Sequence, residues 1–218
     1  LYAVYKFGLL SGYYRRATRC QDTSDTTASS KVHSLFDFPS PASLLAVLGE
    51  DGKNQLLSQA DEIVAGNVRL FSAVPVPLQL AFDLPLQHWT AYEKDASLYE
   101  PLYSGLQDVK FIWEPARFGW AFTLGRAWHL SRDERYAQAF WTFTERFLDA
   151  NPPCLGPHWV SAQEVAIRLM VLAWSSQVFI SSQHSTPERQ VRLAGSIAQH
   201  AARIPATLVY ARSQNNNH

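Results

Sequence analysis

Apolar and polar residues follow different periods in different parts of this chain. From Trp113 onward, apolar positions recur every three or four residues, the spacing of one helical face. Phe118, Ala121, Phe122, Gly125 and Trp128-His129 mark a helix over 116–130. Tyr136, Phe140, Phe143 and Phe147 mark the core side of a second, reaching about Ala150. Ser131-Arg132-Asp133-Glu134 predicts its start as a capping box, with Ser at the cap and Glu three residues later. Asn151-Pro152-Pro153 predicts its stop. A second box, Ser161-Ala162-Gln163-Glu164, opens a helix through about Ser181. Thr186-Pro187-Glu188 opens another to about His200, and Pro205 precedes a last short run through Tyr210. Short polar connections force neighbouring helices to run antiparallel, so the predicted unit is the helical hairpin. No fixed-period repeat accompanies it, which argues against a regular solenoid.

The first half is less regular. Leu1, Val4, Tyr5, Leu9 and Tyr13 fit a helix over 1–16, with Gly8 and Gly12 weakening the pattern. Gln21 to Ser34 is rich in Ser, Thr and Asp and reads as a mobile loop. Ser40-Pro41 caps a short helix that Gly49 stops, and Asn54 to Ala65 forms another, closed by Gly66. Between Asn67 and Gln87, Val68, Leu70, Val74 and Val76 are interleaved with Pro75, Pro77 and Pro85, which predicts extended or irregular chain. His88 to Tyr103 fits neither period, and Pro101 is expected to end whatever precedes it. The expectation is an all-α fold in one domain. It divides into a helical segment 1–66 with polar loop 21–34, an irregular connection 67–112, and a helical-hairpin portion 113–218.

Composition narrows the partners. The 218 residues are 47% hydrophobic and 13% aromatic, with seven Trp, enough for a sizeable core. Lys+Arg and Asp+Glu both number 19, so no basic excess points to nucleic acid. No apolar run approaches the roughly 20 residues of a membrane span. Cys20 and Cys154 lie far apart and form no metal spacing; free thiols are expected, with a single bridge left open. No motif for a phosphate loop, a zinc protease, a serine hydrolase or a calcium loop occurs. No cofactor and no metal are expected.

Three stretches mix residues able to do chemistry. Trp113-Glu114-Pro115-Ala116-Arg117 sets aromatics beside one acid and one base. Trp113 suits stacking on a sugar and Arg117 suits an anion, but a hydrophobic staple at a helix start explains the same residues. Gly156-Pro157-His158-Trp159 precedes Glu164 and Arg168, which share a helix face. His158 and Trp159 fit either a binding loop or packing, and Glu164 with Arg168 fits an intrahelical ion pair. Finally, Arg212-Ser213-Gln214-Asn215-Asn216-Asn217-His218 gathers neutral hydrogen-bonding groups beside an imidazole. That set suits a carboxylate, and it also suits a solvated tail. His129 reads as a packing histidine, and His33, His88, His184 and His200 have no ligand-like neighbours in sequence.

In order, these stretches read Trp-Glu-x-x-Arg, then Gly-x-x-Trp-x-Ser-x-x-Glu-Val-Ala-x-Arg-Leu, then Asn-Asn-His after a short helix. This series resembles the N-terminal helical domain of heparinase II/III-like polysaccharide lyases, a group that includes alginate lyases. The resemblance covers about Trp113 to His218 and is weak before Leu70. It implies an (α/α) toroid of antiparallel hairpins, followed in the family by a β-sandwich domain. It also implies β-elimination at a uronic acid in an anionic polysaccharide such as heparan sulfate or alginate. Asn217 and His218 would neutralise the uronate carboxylate as the C5 proton leaves, with Asn216 adjacent. Arg212, Trp159, His158, Glu164, Arg168, Trp113 and Arg117 would line or brace the cleft. The resemblance places the Tyr and His acting as acid and base outside these residues, so the chain alone is expected to be inactive. It suggests a periplasmic or secreted location. Two rivals remain: a helical-hairpin glycoside hydrolase using paired carboxylates from Asp133, Asp149 and Glu164, and a non-catalytic helical scaffold.

Overall fold

The computed structural model describes residues 2–18, 37–72, 74–82, 85–102 and 108–213. The fold is all-α. Helix α1 (Tyr2–Leu10) is separated from α2 (Tyr13–Ala17) by Gly12, which takes a left-handed φ of 73°. Helix α3 (Pro41–Val64) starts where Ser40 Oγ accepts the Ser43 amide, 3.1 Å away. It kinks at Gly49, where φ is 67° and ψ 176°. The predicted glycine stop is therefore a bend between two helical arms. Gly66, at φ 86°, turns the chain into β1 (Asn67–Arg69). β1 pairs antiparallel with β2 (Pro75–Pro77) in the register Asn67 to Pro77, Val68 to Val76 and Arg69 to Pro75. Among the described residues this hairpin is the one sheet. The polar stretch 21–34 lies outside the described residues, as do Cys20 and His33.

Helix α4 (Trp89–Tyr92) is short, and a 3-10 helix over Ala96–Leu102 runs through Pro101 instead of ending before it. Then follow α5 (Lys110–Ala116), α6 (Gly119–Ser131), α7 (Glu134–Ala150), α8 (Ala162–Val178), α9 (Pro187–Arg203) and α10 (Pro205–Ser213). The continuous helix predicted from Ala116 breaks at Phe118, held at φ 63°. Burial explains why the strain persists. Phe118 is fully enclosed and meets Phe147 edge-on at 5.0 Å and Trp120 at 4.7 Å.

The capping box expected at Ser131 is also displaced. Ser131 is the last residue of α6 and donates to the Ala127 carbonyl at 2.7 Å. Arg132 takes φ 59°, and Asp133 caps α7 by accepting the Arg135 amide at 3.0 Å. The caps expected at Ser161 and Thr186 stand, each side chain accepting the amide three residues on, while the Glu164 carboxylate turns to Arg117 instead of closing the box. The helix from Ala162 ends at Val178, three residues short of Ser181, and the helix from Pro187 continues three residues past His200.

Two buried clusters hold the helices. The larger joins Leu56, Ala60 and Ile63 of α3 to Leu124 and Trp128 of α6, Phe140 and Phe147 of α7, and Leu172 of α8, with Phe179 beyond its end. Phe140 stacks on Phe179 at 4.5 Å. The smaller gathers Tyr5 and Leu9 of α1, Trp89 and Tyr92 of α4, Ile112 of α5, and Trp159 and Val165, with Tyr210 packed against it. No helix among the described residues is long and apolar enough to cross a membrane.

Candidate functional site

The smaller cluster opens onto a cavity of about 220 Å³. Its walls come from distant parts of the chain: Tyr2, Tyr5 and Lys6 of α1, Trp113 of α5, the connection Val160–Ser161, and Tyr210 of α10. Tyr5 and Tyr210 lie parallel with ring centroids 4.0 Å apart. Tyr2 is tilted on Tyr210 at 6.4 Å, and Lys6 Nζ stands 5.5 Å over the Tyr2 ring. Trp113 is fixed by its indole N–H, which donates to the Pro157 carbonyl at 3.0 Å. Burial, then the Glu93 carboxylate that the Tyr5 hydroxyl meets, pushes the Tyr5 pKa far above its ordinary value. Tyr5 is thus a fixed phenol and no base at neutral pH. Aromatic faces beside the Lys6 ammonium, with the Glu93 carboxylate also in the wall, can hold a sugar ring.

Behind this cavity lies a frame of buried cations. Arg168 is fully buried. It donates to the Ala116 carbonyl at 3.0 Å, the His158 carbonyl at 2.8 Å and His200 Nε2 at 2.7 Å. One guanidinium thereby ties α5, the Pro157–Trp159 turn and α9 together. Burial draws its pKa down to about 9, partly offset by Glu164, so it stays charged at neutral pH. Arg203, the last residue of α9, does the same. It donates to the carbonyls of Trp159 at 3.1 Å and Val160 at 2.7 Å and to Thr207 Oγ1 at 3.2 Å, with its carbon 3.8 Å above the Trp89 ring. Carbonyl oxygens and an aromatic face compensate the buried charge.

His200 accepts from Arg168 at Nε2 and lies 2.7 Å from the Ser196 carbonyl at Nδ1, which fixes the neutral tautomer with its proton on Nδ1. Burial and the Arg168 charge pull its pKa down to about 3. His158 is 1% exposed, and neither ring nitrogen has a hydrogen-bond partner among the described residues. Its ring lies 5.4 Å from Phe82 and 5.5 Å from Phe147. Burial, then Arg168, holds its pKa well below the ordinary range.

Glu164 does not pair with Arg168. Its carboxylate takes two hydrogen bonds from Arg117, at 2.6 and 2.7 Å, and the same guanidinium reaches Glu114 at 2.5 Å. The Glu164 hydrogen bonds raise the Arg117 pKa, against the opposing effect of partial burial. The three charges join the start of α8 to α5.

The structure therefore brings Trp113 to the cavity wall. It sets His158, Trp159, Glu164 and Arg168 beneath the surface, each 4% exposed or less. Arg117 lies between these groups, and Arg212 is exposed in the last turn of α10. Asn216, Asn217 and His218 lie outside the described residues. Sequence reasoning missed Tyr2, Tyr5, Lys6 and Arg203, and it set aside His200. No local pattern joins Tyr5 to Tyr210, because their contact depends on how the first and last helices meet. Among the described residues, no three His, Cys, Asp or Glu side chains gather as a metal site would need.

No curated protein and no solved structure matches the chain. The family model for the heparinase II/III N-terminus matches residues 10–218, nearly the whole chain. On that match, the chain belongs to the heparinase II/III N-terminal family.

Proposed function

We propose that this chain is the substrate-positioning helical part of a polysaccharide lyase. It acts on uronic-acid polysaccharides by β-elimination, and its hairpins form an arc of an (α/α) toroid. The family supports the lyase class. The observation that carries the finer reading is the convergence of Trp113, the Val160–Ser161 connection and Tyr210 on one aromatic cavity. The same helix, α10, leads within five residues into Asn215-Asn216-Asn217-His218.

In this reading the aromatic walls hold a sugar ring, and Lys6 or Arg212 meets an acidic group. Removing the C5 proton builds negative charge on the uronate carboxylate. Asn217 and His218 stabilise that charge by hydrogen bonds that strengthen in the transition state. A base outside this sequence takes the proton and an acid protonates the departing C4 oxygen, so no water enters. His158, Trp159, Arg168 and Glu164 act as positioning residues, holding the wall from behind. The hydrolase reading fares worse. Asp133 pairs with Arg135, Asp149 with Arg192 and Glu164 with Arg117. Asp133 and Asp149 flank the length of α7, roughly 24 Å apart at 1.5 Å per residue, too far to share one glycosidic bond.

The test is kinetic and uses the full-length protein. Asn217→Ala and His218→Ala are each expected to lower kcat by about 100-fold or more, with KM little changed. Tyr210→Ala is expected to raise KM. Full kcat in both alanine variants would remove Asn217 and His218 from the mechanism.

A further inference from the structure

A larger groove, about 630 Å³, opens on the other flank of α5. The earlier cavity takes Trp113 from this helix, whereas the groove takes Glu114. Its long wall is one stripe of α3, Gln55, Ser58, Gln59 and Glu62, at helical positions i, i+3, i+4 and i+7. The neighbouring stripe, Leu56, Ala60 and Ile63, is buried in the core. Such spacing is that of an amphipathic helix with one face in the core and the other open to the groove. Asn67 of β1 and Thr123 of α6 add an amide and a hydroxyl from the facing side.

The charges in the groove are matched internally. Glu62 Oε2 takes Arg69 Nε at 3.1 Å and Nη2 at 3.0 Å, and Glu114 takes Arg117. Each carboxylate is thus balanced by one arginine, and among the described lining residues no unpaired cation stands ready for a phosphate, sulfate or uronate, so the groove favours a neutral ligand. The remaining amides and hydroxyls each donate and accept. That pattern matches sugar hydroxyls. At the edge of the groove, the residue after the lining Leu70 is Phe71, half exposed and held at φ 53° against Phe111. A bulky side chain in that backbone region is strained, and strain of this kind concentrates where ligands bind.

We infer that this groove is a second saccharide site, selective for a neutral, hydroxyl-rich sugar unit and distinct from the aromatic cavity. Gly119 gives the cleanest test. It lines the groove at the first position of α6, its backbone is outside the left-handed region, and an added Cβ would meet nothing within 4 Å. A side chain there fills the groove without straining the chain.

The experiment is calorimetric titration of the full-length protein with a panel of neutral tetrasaccharides built from glucose, galactose, mannose or N-acetylglucosamine. A tetrauronate of equal length serves as the charged comparison. At least one neutral member is expected to bind with Kd near 1 mM or tighter. Gly119→Phe and the double variant Gln55→Ala/Gln59→Ala are expected to weaken it tenfold or more, while Tyr210→Ala leaves it unchanged. The double variant alters exposed side chains only, so it reports on the groove even where Gly119→Phe lowers stability. Three results would overturn the assignment: no binding across the panel, undiminished binding in the double variant, or loss of binding in Tyr210→Ala. Elimination activity is a separate readout, so the lyase reading and this one fail independently.

Discussion

Arg117 and Glu164 show how much a single pair can hold at the residue scale. They are 47 residues apart in sequence and share two short hydrogen bonds, with the Glu164 side chain 5% exposed. Removing one partner of such a pair strands a buried charge, at a cost of about 3 kcal/mol or more, whereas removing both costs less. Arg117→Ala is therefore expected to lower the urea midpoint sharply, and Arg117→Ala/Glu164→Ala to recover part of the loss. Equal loss in the single and double variants would mean that the pair contributes nothing beyond its packing. His158 gives the opposite case. Its ring nitrogens have no partners among the described residues and its ring packs against Phe82 and Phe147, so His158→Phe removes two unsatisfied polar atoms at nearly constant shape. The variant is expected to be as stable as wild type or more so at neutral pH. A loss above about 2 kcal/mol would mean the imidazole makes a bond that matters. Arg117 and Glu164 were legible as chemistry-bearing in the sequence. Their partners were not, because 47 residues of chain carry no local signal of which side chains meet.

At the scale of elements, the contact between α6 and α8 runs over Gly125. A Cβ there would stand 2.5 Å from the Trp174 ring and 3.0 Å from Val178. Gly125→Ala gains up to about 1 kcal/mol in helix propensity but overpacks the interface, which typically costs about 1–3 kcal/mol. The clash is larger, so the variant is expected to lose stability by on the order of 1 kcal/mol in chemical unfolding. A stabilised variant would show that the two helices separate easily. Element positions were readable where a cap is local. Ser40, Ser161 and Thr186 each accept an amide three residues on, as their sequence context implied. The same logic misplaced the start of α7, because Arg132 adopts a left-handed backbone that no propensity favours. Phe118 broke the helix expected over 116–130 for a similar reason: burial against Phe147 and Trp120 outweighs its local backbone strain.

For the molecule as a whole, the buried histidines set the response to pH. His158 and His200 are neutral in the fold, and their pKa values lie below the ordinary 6.5, that of His200 at about 3. The unfolded chain therefore binds more protons than the folded chain below pH 6.5. Stability is complete above that value and is lost as pH falls toward 3. The urea midpoint is expected to decline through this window, and less steeply in His158→Phe. A midpoint that stays level from pH 7 to 4 would contradict the buried neutral assignment. The all-α class was legible in the periodicity, since the helices from α6 onward repeat an apolar spacing of three or four residues. The aromatic cavity was not, since its walls are contributed by both ends of the chain.

Elimination without water at a uronate is tested most directly by mass spectrometry of the products that the full-length protein releases from a defined oligouronate. Paired fragments are expected whose masses sum to the parent, one bearing a C4–C5 double bond and absorbing in the ultraviolet. Fragments whose masses sum to the parent plus one water would contradict it and assign the chain to a hydrolase.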